Sequence, residues 1–340
     1  MDSKFKNSQQ SKMKMEEHGV INNLEEPWSL KKFKEKFAIK IVKESDNKME
    51  LEFDLIECQT SLANAIRRIL ISEVPSMAIE RVFIKNYNSI MQEEVFAHRL
   101  GLVPLLADPR LFEYPSNEKN QDDYFSAQEN LRFELKATCT YNKHASKESR
   151  RLDEMYINHK VYSKDIKWIP IDGQLEIFRG GDEQVGVIHK DILLNELNPG
   201  QELHIFMHAV KGIGKDHAKF SPVSTAFYRL LPKITILRPV KGEMAEKLKN
   251  CFSPGVIEIA KNKSGEKEAK VANSRYDSCS RNVERHEDLK DSVLLEREPN
   301  HFIFTIESVG ALSSSILFIE AVKILKEKCR TFIDELNAIN

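Results

Sequence analysis

The stretch from Thr60 to Leu106 constrains the fold more than any other part of the chain, because helix-forming and helix-breaking signals alternate along it at short spacing. Leu62, Ala65, Ile66, Ile69 and Leu70 recur at i, i+3, i+4, i+7 and i+8, the spacing of one apolar helix face, and Thr60 or Ser61 can cap the first turn. Asn64, Arg67 and Arg68 fall off that stripe. Pro75 ends the helix, since proline donates no backbone hydrogen bond and disfavours helical geometry in the residue before it. A short strand over 78–85 is predicted next, then a second helix over about 91–100, closed by Gly101 and Pro104. The unit reads helix, strand, helix.

Before this unit, residues 1–36 are polar and mixed in charge and read as a mostly flexible tail. Ile39 and Ile41 alternate with Lys40, and after a turn at Ser45-Asp46-Asn47, Met49, Leu51, Phe53 and Leu55 alternate with Glu50, Glu52 and Asp54. That pattern predicts a hairpin with one buried face, covered by the helix that follows. The chain turns polar at 113–130 and then starts new strands. Leu131, Phe133, Leu135, Ala137 and Cys139 alternate with polar residues, and a strand over 203–210 follows the turn at Pro199-Gly200. Turns rather than helices separate these strands, so 87–225 reads as a mostly antiparallel β body inserted into the first domain.

Past Ser221-Pro222 the chain returns to that domain through short strands near 234–237 and 251–259. The stretch 261–297 is strongly charged with few apolar anchors. A strand carrying Phe302, Phe304 and Ile306 leads to Gly310 and a long helix over 314–336. Its apolar stripe is Phe318, Ala321, Val322, Leu325, Cys329, Phe332, Ile333 and Leu336. Such a stripe can cover its own sheet or, where an end overhangs, offer the same face to another chain. The fold class is α+β.

Composition bounds what this chain does. With 340 residues, 41% apolar and 30% charged, the chain holds about two domains and a sizeable core. Lys and Arg number 51 against 52 Asp and Glu, so no basic excess marks phosphate gripping as the main task. The five cysteines are scattered and form no C-x-x-C pair, which fits free thiols in a reducing compartment. Neither a secretory leader nor a membrane span is expected.

Candidate chemistry dissolves on inspection. Gly212-Ile213-Gly214-Lys215 lacks the spacing and the hydroxyl of a phosphate loop and reads as a turn. His286-Glu287 has Lys290 where a zinc-protease helix needs histidine. His204 and His208 would lie about 13 Å apart along a strand, too far to share a metal. No catalytic residue, metal or cofactor is expected. The basic residues Lys31, Lys32, Lys34, Lys36, Arg150 and Arg151 raise a nucleic-acid-binding module as an alternative, although they alternate with glutamate or lack interleaved aromatics. The pair Arg67-Arg68 is either a solvated edge or a set of planar forks for a partner's carboxylates and carbonyls.

The wording of several stretches decides further. Asn64-Ala65-Ile66-Arg67-Arg68-Ile69-Leu70 with Glu73-Val74-Pro75, and His98-Arg99-Leu100-Gly101-Leu102-Val103-Pro104-Leu105, resemble the alpha-like subunits of cellular RNA polymerases. The segments His208–Val223, Cys251–Glu258 and His301–Ser308 are similar to the larger alpha-like subunit shared by polymerases I and III. Polymerase II and archaeal counterparts often carry cysteine clusters that this sequence cannot make, which favours the polymerase I/III type and leaves the polymerase II counterpart as an alternative.

The resemblance implies a discontinuous dimerisation domain, 37–86 and 226–340, a sheet with covering helices and a long C-terminal helix, interrupted by the insertion domain 87–225. It implies a non-catalytic scaffold that pairs with a smaller alpha-like subunit and nucleates assembly of the two largest subunits and other core subunits. The enzymes so assembled make ribosomal RNA precursors, 5S rRNA and tRNA. The implied location is the nucleus, including the nucleolus, with nucleic acid contacted only through the assembled enzyme and no membrane partner. The residues implied at partner interfaces are Leu62, Asn64, Ile66, Arg67, Arg68 and Leu70 on the first helix, and Phe318, Val322, Leu325 and Phe332 on the last.

Overall fold

The computed structural model describes residues 13–16, 19–22, 29–115, 126–145, 151–171, 173–181, 184–261 and 265–339. Trp28, Arg150 and the loop tip at 116–125 lie outside these residues. Within the stretch expected as a tail, Met13–Glu16 pairs with Gly19–Asn22 as a short antiparallel hairpin, and Leu30–Lys36 forms helix α1.

The principal elements then follow in order. Strands β1 (Ala38–Glu44) and β2 (Glu50–Ile56) lead into helix α2 (Thr60–Ser72), strand β3 (Pro75–Tyr87) and helix α3 (Glu93–Gly101). Next come β4 (Asn130–Thr138), β5 (Ile166–Ile169), β6 (Glu202–Ile213) and β7 (Val223–Ile236). Helix α4 (Glu243–Asn250), the hairpin β8 (Ile257–Lys261) and β9 (Lys267–Val271), strand β10 (Val293–Ser308) and helix α5 (Ser314–Ile339) complete the chain.

Two four-stranded antiparallel sheets carry the fold, one in the order β7-β10-β2-β1 and the other β5-β4-β6-β3. In the first sheet, Leu51, Phe53 and Leu55 of β2 and Phe302, Phe304 and Ile306 of β10 turn to one face and are buried beneath α2 and α5. Phe53 stacks on Phe304 at 5.2 Å and meets Phe318 of α5 edge-on at 4.8 Å. In the second sheet Leu131, Phe133 and Leu135 join Leu203, Ile205 and Met207 around Phe96 and Leu100 of α3.

One strand departs from its expected place. Strand β3, expected within the first segment 37–86, hydrogen-bonds into the second sheet, with Ile213 opposite Pro75 and Leu203 opposite Tyr87. The physical reason is register. Once Pro75 turns the chain out of α2, the buried residues Met77 and Ile79 match the core of β6 rather than that of β2.

The segment expected to have few anchors builds a third core. Strands β7 and β10 run on past the first sheet as a two-stranded ribbon, and Ile234 and Val293 there pack with Leu248 of α4, Ala269 of β9, Val283 and Leu289. These anchors are spaced too widely for a periodic pattern, so only the long ribbon collects them.

Gly310 makes the turn between β10 and α5 at φ 125, and an added Cβ would lie 2.8 Å from Ile188. A left-handed residue without a side chain is therefore required where the second body meets the first.

Within the second sheet, His208 is 3% exposed, in register with Arg132 on β4 and Arg81 on β3. Burial, reinforced by the two arginines, holds its imidazole below the usual histidine pKa, so the folded protein keeps it neutral. The unfolded chain protonates it near pH 6.5. Below that pH the unfolded state binds more protons than the folded one, so stability falls as pH falls. Urea melts of wild type and His208→Gln between pH 7 and 5 are expected to show a smaller acid-side loss in the variant; parallel profiles would refute the assignment.

Candidate partner interface

Helices α2 and α5 lie side by side on the first sheet, and their inner residues Ala63, Ile66, Ile69, Leu70, Leu317 and Ala321 are buried. Helix α2 begins without a side-chain cap, and Gln59 rather than Thr60 occupies the capping position. Ser314 pins the start of α5, its Oγ and N–H donating to the carbonyls of Met49 and Lys48. At the far end of α2, Glu73 accepts Lys328 Nζ at 2.8 Å, a surface ion pair that links the two helices.

Helix α5 then outruns its support. It is 26 residues long, about 39 Å, and every described residue from Lys326 to Ile339 is exposed. The exposed residues keep the apolar periodicity: Ile319, Val322, Phe332, Ile333, Leu336 and Ile339 are all open to solvent, Phe332 at 62% and Ile339 at 82%. A lone soluble helix has no use for such a stripe.

Strand β1 adds to this surface. It is the edge strand of the first sheet and every residue in it is exposed. Ile39 and Ile41 sit opposite Leu55 and Phe53, which places them on the same face as the helices. The expected buried face of the hairpin is thus complete on β2 and bare on β1. Alternation reveals which residues share a face, not whether this chain supplies the cover.

The ten residues expected at partner interfaces fall into three groups by exposure, with Asn64 and Arg67 among the half-buried ones. Ile66 and Leu70 are 4% and 0% exposed. They belong to the chain's own core, a correction that follows from α2 turning Ala63, Ile66, Ile69 and Leu70 inward rather than the face centred on Leu62 and Ala65. Leu62, Phe318 and Leu325 are half-buried against that core. Arg68, Val322 and Phe332 are exposed.

Asn64 and Arg67 form a clasp one turn apart. Asn64 Oδ1 accepts from Arg67 Nε at 3.1 Å and Nη2 at 2.9 Å, leaving the rest of the fork available to an acceptor. Ile39, Ile41, Ile319 and Ile339 were not expected at a partner surface. Ile319 and Ile339 extend the helical stripe beyond the residues expected, whereas nothing local marks Ile39 and Ile41 as uncovered.

Cys329 lies exposed on α5, whereas Cys58, Cys139 and Cys251 are buried and their thiol pKa values are pushed up by burial. The sequence Gly212-Ile213-Gly214-Lys215 ends β6 in a turn against α2, where Lys215 N–H donates to Ser72 O at 2.8 Å.

A family model described as the RNA polymerase Rpb3/Rpb11 dimerisation domain matches residues 52–329. The chain is 49% identical over 322 residues to the Mus musculus protein named DNA-directed RNA polymerases I and III subunit RPAC1, covering 94% of this chain and 90% of that one. The Saccharomyces cerevisiae protein of the same name is 46% identical over 310 residues, covering 91% and 90%. An Arabidopsis thaliana protein named DNA-directed RNA polymerases II, IV and V subunit 3 is 31% identical over 283 residues, covering 82% and 85%. With a family match across most of its length and relatives of this identity, the chain belongs to the RNA polymerase Rpb3/Rpb11 dimerisation-domain family.

Proposed function

We propose that this chain is a non-catalytic assembly subunit of the nuclear DNA-directed RNA polymerases I and III, including the nucleolar enzyme, and that it pairs with a smaller alpha-like subunit. The observation that carries this reading is the apolar stripe of α5, exposed over its outer half beside the bare Ile39 and Ile41 of β1. A helix pair from a partner fills that space, extends the two-helix layer over β1, and buries side chains that water otherwise surrounds. The higher identity to relatives named for polymerases I and III than to the one named for II, IV and V supports the type of enzyme.

In this reading the first sheet with α2 and α5 is the dimerisation body, made from both ends of the chain, and the second sheet is the insertion. Asn64, Arg67 and Arg68 present one partly satisfied and one open guanidinium fork to the large subunits.

The test is a tagged pulldown from nuclear extract at moderate salt, with co-purifying chains identified by mass. Wild type is expected to recover one small alpha-like chain and the large subunits of both polymerases. Phe332→Asp with Leu336→Asp is expected to lose all of them. Arg67→Ala with Arg68→Ala should retain the small chain but recover the large subunits more weakly, each truncation being worth about 2 kcal/mol. Recovery of polymerase II subunits alone would reassign the chain, and undiminished recovery by the Phe332/Leu336 variant would move the interface elsewhere.

A further inference from the structure

A second surface lies on the other sheet, away from α2 and α5. Strand β3 is the terminal strand of that sheet, so alternate N–H and C=O groups along its outer half point away from β6. That half carries two cations and a register slip beside Lys85, features that disfavour indiscriminate edge pairing and leave room for a charge-matched strand. Arg81, Phe83, Ile84 and Lys85 are exposed, Phe83 at 47%, with Val82 half-buried between them. The edge therefore reads as three apolar residues flanked by two cations.

The sheet face beside it repeats the same chemistry. In register across β4, β6 and β3 lie the rows Arg132–His208–Arg81 and Glu134–Phe206–Phe83. Arg132 lies over the Phe206 ring at 5.0 Å, and Phe83 lies 5.0 Å from the His208 ring. Arg132 Nε is buried without a hydrogen-bond partner, and neither Arg132 nor Lys85 has an ion pair among the described residues. Two nearby carboxylates have partners of their own, Glu134 with His204 at 2.9 Å and Glu80 with Lys219 at 2.5 Å. Arg81, Lys85 and Arg132 together give this edge and face a cluster of positive charges.

We propose that β3 receives an extended acidic segment of another polypeptide as a fifth strand, with an apolar run against Val82, Phe83 and Ile84 and a carboxylate at each end facing Arg81 and Lys85. Backbone pairing holds such a segment, and the flanking charges select it. Single-stranded nucleic acid fits less well, because among the described residues Phe83 is the one well-exposed aromatic ring on this face, too few for a stacking platform. The site is independent of the α5 surface.

The experiment uses the full-length chain and a labelled peptide, acetyl-Ser-Glu-Val-Ile-Val-Glu-Ser-amide, with its lysine-for-glutamate counterpart and a ten-nucleotide oligouridine as competitors. Fluorescence anisotropy is expected to favour the acidic peptide by about tenfold or more over the lysine peptide, less so at high salt. Hydrogen exchange should slow across 80–86 and not at β1. Phe83→Glu should weaken binding of the acidic peptide, and Lys85→Glu should shift preference toward the lysine peptide, while both variants still recover the small alpha-like chain in a pulldown. Equal binding of the two peptides, protection outside 80–86, or unchanged preference in Lys85→Glu would overturn the proposal. Tighter binding of the oligouridine, lost in the same variants, would replace it with a nucleic-acid surface.

Discussion

Replacing Arg275 with alanine is expected to lower the unfolding free energy of the full-length chain by about 3 kcal/mol or more. Arg275 lies in the short turn Ser274–Tyr276 after β9 and reaches the outer face of the first sheet, where Nη1 donates to Glu52 Oε1 at 2.6 Å and Nη2 to Asp54. The group is well enclosed: the Arg275 side chain is 12% exposed and that of Asp54 is 7% exposed. Its backbone carbonyl accepts Arg229 Nη2 at 2.8 Å, so the residue joins both ends of the contact.

Truncation strands a buried carboxylate whose remaining close neighbour is the His301 ring, with Nε2 3.1 Å away. Removing one partner of a buried pair costs more than the pair contributes net, because the other charge keeps its desolvation penalty. The double variant Arg275→Ala with Asp54→Asn is therefore expected to be more stable than Arg275→Ala alone. Guanidinium denaturation followed by fluorescence and far-UV dichroism checks both statements. A change below about 0.5 kcal/mol in Arg275→Ala would place the ion pair with ordinary surface pairs.

Gly214→Ala is expected to destabilise the chain by a similar amount, about 3 kcal/mol. An added Cβ would lie 2.2 Å from Ile71 O and 3.2 Å from the Ser72 Cα. Both obstacles are backbone at the end of α2, held by the bond from Lys215 N–H to Ser72 O, so no flexible side chain can swing away. Relief requires α2 or the end of β6 to shift, and α2 carries the Asn64–Arg67 clasp and the contact to α5. Partner recovery should fall with stability. Gly101→Ala is the control, since its Cβ would meet Ile79 O at an ordinary 3.5 Å and should change stability by less than about 0.5 kcal/mol. Equal melting temperatures for Gly214→Ala and wild type would show that the turn gives way freely.

The two glycine positions illustrate what a motif means in a fold. Gly212 to Lys215 attracts notice as a possible phosphate loop, yet its use is to bring one sheet against a helix of the other. No local feature announces that role, because Ile71 and Gly214 are far apart in sequence and meet only after β3 and β6 have paired.

Sequence alone determined the local elements and their faces. The alternation of Leu51, Phe53 and Leu55, and of Phe302, Phe304 and Ile306, fixes strands with one inner face. The spacing from Phe318 to Leu336 fixes a helix with one stripe. Side-chain period is a short-range property, set by backbone geometry within each segment. Tertiary structure alone decided the rest: that β3 joins the second sheet, that Ala269, Val283, Leu289 and Val293 form a core, and that Asp54 finds Arg275 across the chain. It also decided that Ile66 and Leu70 are covered while Ile41 and Phe332 are not. The reason is that a hydrophobic pattern states which side of an element avoids water, and only the packed arrangement of distant segments states what excludes the water there.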